Sequence, residues 1–108
     1  MNVRSRALLN LAHALHECTN CGRWSEHGLE PAHENGITAG KGFGIKGHDH
    51  RIAALCNACH SFLDQGGTGR DPSGLYRPVA EDKRELWLRA HLRTFDEFWK
   101  RGWLKVSA

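Results

Sequence analysis

Residues 53–65, AALCNACHSFLDQ, decide how the rest of the chain is read. Cys56 and Cys59 form a Cys-x-x-Cys pair, a spacing that lets both thiolates reach one tetrahedral zinc ion. His60 and Asp64, four positions apart, would share one face of the helix beside it. A second pair lies upstream in Cys18-Thr19-Asn20-Cys21. One such pair alone also fits a redox motif, but two predict a structural zinc site through Cys18, Cys21, Cys56 and Cys59.

Composition sets the bounds. The 108 residues suffice for a single domain, 1–108, and are too few for two cores. No run of about 18 apolar residues occurs, and the N-terminal stretch lacks the pattern of a signal peptide. These features predict a soluble intracellular protein with no membrane partner, in which reduced thiols favour a metal over two disulfides. The net charge of +3 permits a nucleic-acid partner without requiring one. Eight histidines are more telling, because imidazole is both a common metal ligand and a base near neutral pH.

Along the chain, residues 3–17 place Leu8, Leu11, Ala12 and Leu15 at helical spacing, so a helix packing on the core is expected, with His13 and His16 as surface or packing residues. In residues 23–33 a short hairpin is predicted, with Trp24, Leu29 and Ala32 on its inner side and Gly28 near its turn. Residues 34–47 are glycine-rich and lack a helical period. They read as an irregular loop in which Lys41 and Lys46 would face phosphate. The loop lacks the Gly-Lys-Ser/Thr of a Walker motif.

A helix should start at Asn57 and run to about Gln65, stopped by Gly66 and Gly67. Residues 66–78 read as a connector. Residues 79–92 return to a helical pattern, and Thr94 followed by Glu97 has capping-box spacing, which predicts a second short helix ending near Gly102. Phe95, Phe98, Trp99 and Trp103 are expected to bury in the core, with base stacking the lesser alternative.

The order Cys-x-x-Cys-Gly, a hairpin ending in His33, a loop, and Leu55-Cys56-x-x-Cys59-His60 opening a helix resembles the HNH endonucleases of the ββα-metal type that carry a pair of zinc knuckles. Ala32-His33, the glycines of 40–44, Ala53-Ala54, Cys56-x-Ala58-Cys59-His60 and Asp64 are more closely similar to the YbcO-like nuclease-domain proteins of phages and prophages. The similarity covers roughly residues 18–67.

It implies an α+β fold with a zinc-stabilised treble-clef core of β-hairpin and short helix, which the helical patterns read at 3–17 and 79–103 would flank. It also implies hydrolysis of DNA phosphodiester bonds in the cytoplasm of a bacterial host, in recombination, repair or processing, beside a recombination or repair partner. His33 falls on the hairpin histidine that serves as general base, and His60 on the helix histidine that ligates a catalytic divalent ion, magnesium or manganese, with Asp64 as a further ligand.

Two positions depart from the pattern. Ala32 stands where many relatives have a ligand, and Arg51 falls at or near the usual asparagine, where it cannot accept a hydrogen bond. His50, and after it Asp49, are the candidate replacement ligands, Glu30 is a candidate carboxylate for orienting a histidine, and Arg51 joins the two lysines as a DNA contact. The nonenzymatic alternative is a treble-clef zinc module that binds nucleic acid or protein.

Overall fold

The computed structural model describes residues 3–34, 47–64 and 80–106. Three helices and two strands follow in the order α1 (Arg6–Ala14), β1 (Glu30–His33), β2 (Ile52–Leu55), α2 (Asn57–Asp64) and α3 (Ala80–Lys100). The expected α+β class with a hairpin and flanking helices is therefore present. Residues 35–46 and 65–79, with the glycine-rich loop, Lys41, Lys46 and the connector, lie outside the described residues.

α1 is shorter than its apolar pattern suggests because both ends are tied. Ser5, in extended conformation, accepts the Leu8 N–H on its Oγ at 3.3 Å, which satisfies one of the open donors of the first turn. At the other end Leu15 is already extended, and its carbonyl accepts the Leu29 N–H at 2.9 Å. Gly28 makes that approach possible. With φ at +91° it occupies the left-handed region, and a Cβ there would overlap the carbonyl oxygen of His13.

The hairpin differs from the expectation. Residues 23–33 do not fold back on themselves; β1 pairs antiparallel with β2, from Glu30 opposite Leu55 to His33 opposite Ile52. Trp24 instead forms an isolated bridge with Glu17 that closes the first cysteine turn. Its indole is exposed and stacks on His16 at 4.9 Å, so it is not an inner hairpin residue. The physical reason is pairing distance, since β2 offers four consecutive buried residues, Ile52 to Leu55, against which β1 can bury Ala32.

β2 has no bare outer edge. Pro31 lies opposite Ala54, and the amide and carbonyl of Ala54 turn away from β1. Thr94 Oγ1 accepts the Ala54 N–H at 2.9 Å, while Thr19 donates to the Ala54 carbonyl from its hydroxyl at 2.7 Å and from its N–H at 3.3 Å. His91 Nδ1 meets the Ile52 carbonyl at 2.7 Å.

Those contacts explain why α3 is one helix rather than two. The capping-box signal at Thr94 is overridden, because its buried hydroxyl donates to the Ala90 carbonyl at 2.7 Å inside the helix while receiving the Ala54 amide from the strand. Leu86, Trp87, Ala90 and Phe98 pack inward from the same helix. Phe95 and Trp103 are partly buried, as expected, but Trp99 is exposed. The stop at Gly102 is as expected: it has φ +72°, its N–H reaches the Trp99 carbonyl, and the Trp103 N–H reaches the Phe98 carbonyl. This is the Schellman pattern, with Trp103 packing its ring on Phe98.

Candidate metal centre and histidine site

The first two cysteines sit on a turn. The Cys18 N–H donates to the Arg23 carbonyl, the Gly22 N–H to the Cys18 carbonyl, and Gly22 takes a φ of +77°. The second two open α2, where the Cys56 carbonyl accepts the His60 N–H at 3.0 Å. All four thiols are free, and their sulfurs lie within 4.8 Å of one another. Cys21 Sγ and Cys56 Sγ are 3.7 Å apart, matching the ~3.8 Å edge of a tetrahedron built on zinc–sulfur bonds of about 2.3 Å. The four cysteines could therefore hold a structural metal ion such as zinc.

Polar neighbours support the sulfurs. Asn20 Nδ2 donates to Cys59 Sγ at 3.3 Å and the Cys56 N–H to Cys18 Sγ at 3.4 Å. A hydrogen bond from Cys59 pulls the Cys18 thiol down to about 4 against its burial, and the same bond pushes Cys59 up. Burial pushes Cys21 up. Without a cation, sulfurs this close favour one thiolate at the expense of its neighbour, whereas a divalent cation among them would favour every thiolate at once.

The histidines form a second constellation. His33, the last residue of β1, places Nε2 2.8 Å from Asp49 Oδ1. Asp49 is buried and receives the Ser5 N–H on Oδ2 at 2.7 Å and the Arg4 guanidinium on Oδ1 at 3.4 Å. Burial alone would raise its carboxyl, but the bonds from His33 and the Ser5 amide, with the charges of His33 and Arg4, outweigh it and hold the group below the usual carboxylate range. An ionised carboxylate only accepts, so Nε2 of His33 carries a proton, and in the neutral imidazole that tautomer leaves the lone pair on Nδ1.

Asp49 thus orients His33, and both of its oxygens are engaged by protein donors rather than presented as metal ligands. The sequence suggests Asp49 only as a replacement ligand after His50 and does not show this role, because the partner lies sixteen positions away across the hairpin.

His60 stands between two carboxylates. Nδ1 meets Glu30 Oε1 at 2.8 Å, and Nε2 lies 3.4 Å from Asp64 Oδ2, one helical turn on. Asn57 Nδ2 holds the other Glu30 oxygen at 3.2 Å. Glu30 therefore occupies the orienting position suggested for it. A neutral imidazole can donate to only one carboxylate, so with Nδ1 donating to Glu30 the lone pair of Nε2 and the Asp64 carboxylate face each other across a gap that a cation could fill.

His50 is exposed and tilts against His48 at 5.3 Å; no hydrogen bond or ion pair joins it to His60 or Asp64 among the described residues. Arg51 pairs with Glu34 at 3.2 Å. No direct bond links the His33 group to the His60 group among the described residues.

Compared with protein-family models, curated proteins and solved structures, the chain matches none. Among the described residues no helix is long and apolar enough to cross a membrane.

Proposed function

We propose that this protein is a metal-dependent DNA endonuclease of the HNH, ββα-metal type, built on a treble-clef zinc core. The observation that carries the reading is His60, held by Glu30 on one nitrogen and facing Asp64 with the other. Fixing Nδ1 as the donor leaves Nε2 and Asp64 as a two-point site for a divalent ion with open positions for water and phosphate oxygens. Magnesium or manganese there would stabilise charge on the phosphate, while His33, oriented by Asp49, would take the proton of the attacking water at Nδ1. Cleavage would leave 5′-phosphate ends. A phage or prophage role in DNA recombination, repair or processing, in a bacterial cytoplasm beside a repair partner, rests on the sequence resemblance alone.

Conversion of supercoiled plasmid to nicked circles tests this, with magnesium or manganese added to purified protein. His33→Ala should lower the rate by about 100- to 10,000-fold, the range of general-base assistance. His60→Ala should instead raise the metal concentration required. Equal cleavage by His33→Ala and wild type rejects the assignment.

The second reading, a zinc module that binds nucleic acid or protein without cleaving, is favoured by a different observation. Among the described residues, the four cysteines are the one cluster of three or more side chains converging as metal ligands. DNA binding with no cleavage at any metal concentration would select it.

A further inference from the structure

We propose that the face of α1 carrying Arg6, Asn10 and His13 is a track for the phosphodiester backbone of DNA, leading to the His33–Asp49 pair. The inference rests on the nuclease reading for the meaning of that pair, but its own basis is separate. A cavity of about 470 Å³ is lined by Arg4, Arg6, Leu9, Asn10, His13 and Asp49. Positions 6, 10 and 13 follow the i, i+4, i+7 rule and so share one stripe about 10 Å long.

All three side chains belong to exposed residues, and none makes a hydrogen bond or ion pair within the described residues. Each can donate: a guanidinium, an amide and an imidazole. The first turn of the helix carries no acidic residue. The acid in the cavity, Asp49, is already bonded to Arg4 and His33, so its charge is matched before any ligand arrives.

A row of donors in line suits a polymer with repeating anionic groups better than a single small anion, which would call for convergent donors. The row has a defined end. Arg4 and the Ser5 amide touch Asp49 itself, one hydrogen bond from His33, whereas His13 lies two turns away along α1. DNA lying on the stripe would have a phosphate delivered to the histidine by the helix that also holds the orienting carboxylate. The stripe also accounts for Arg6, which core packing does not require.

The test is anisotropy-monitored binding of a short random-sequence DNA duplex, in the His33→Ala background without added divalent ion, over a range of salt. Arg6→Gln should reduce the slope of log K against log salt by about one, as loss of one phosphate contact does. His13→Glu should weaken binding further. Lys100→Gln, which removes the same charge from the separate cavity beside the first cysteine turn, should leave the slope unchanged.

An unchanged slope in Arg6→Gln, or an equal fall in Lys100→Gln, overturns the track. Wild-type nicking scores the nuclease reading independently. Nicking with Arg6-independent binding rejects the track alone, and Arg6-dependent binding without nicking rejects the nuclease alone.

Discussion

Nε2 of His33 and Oδ1 of Asp49 stand 2.8 Å apart, and the carboxylate is clamped from behind by the Ser5 amide and Arg4. The orientation of the imidazole is thus set by the segment leading into α1. Asp49→Asn keeps the shape but removes the charge and replaces one of the two accepting oxygens, which serve His33 and the Ser5 amide, with an NH2 donor, so the tautomer is no longer fixed. Plasmid nicking by this variant should fall by about 100-fold or more, approaching the loss of the base itself, while metal content and circular dichroism stay as in the wild type.

The same carboxylate should govern an acid limb of stability. Its folded-state value lies below the ordinary 3.8, so the unfolded chain takes up the proton more readily. The stabilisation is complete above about 3.8 and is lost as pH falls through the lower folded-state value. Thermal melts at descending pH should show wild type losing this increment and Asp49→Asn lacking it throughout.

Metal removal should unfold the domain rather than merely loosen it. Structural zinc contributes about 10–16 kcal/mol in small zinc-dependent folds, against a net stability of roughly 5–15 kcal/mol for an ordinary domain. Elemental analysis should find one zinc per chain, and a strong chelator should abolish the cooperative melt. A metal-free protein with an intact melt would refute the four-cysteine site.

Thr94 gives a sharper packing test. Thr94→Val keeps the side-chain size but leaves the buried Ala54 N–H without its acceptor, a loss of about 1–3 kcal/mol. Thr94→Ser retains the hydroxyl and should cost less. Chemical denaturation of the pair separates the hydrogen bond from the methyl group.

Two glycines divide conformational strain from steric overlap. Gly102→Ala meets nothing within 4 Å and should suffer only the penalty of its positive φ, about 1 kcal/mol. Gly28→Ala adds a collision with the His13 carbonyl and should destabilise by clearly more, by denaturant midpoint.

What could be read in advance divides by sequence distance. The cysteine pairs and the stop at Gly102 depend on spacing within a few residues, and the sequence shows them directly. His60 with Asp64 is likewise a one-turn relationship. Thr94 was misleading because its local pattern is that of a cap, whereas its partner is an amide forty positions away. The partner of β1 was missed for the same reason, as β2 lies beyond the glycine-rich stretch. The role of Asp49 depends on Arg4, Ser5 and His33 meeting in space, which no local period encodes.

The closed hairpin carries a consequence for association. On β2 the outward amide and carbonyl of Ala54 and the carbonyl of Ile52 are taken by Thr94, Thr19 and His91. On β1, Pro31 sits where an outward N–H would otherwise be offered. Neither rim presents a complete row of groups for an incoming peptide, which closes strand addition as a means of recruitment and disfavours edge-to-edge aggregation. A partner that docks on this sheet would therefore be recognised through side chains rather than through an added strand.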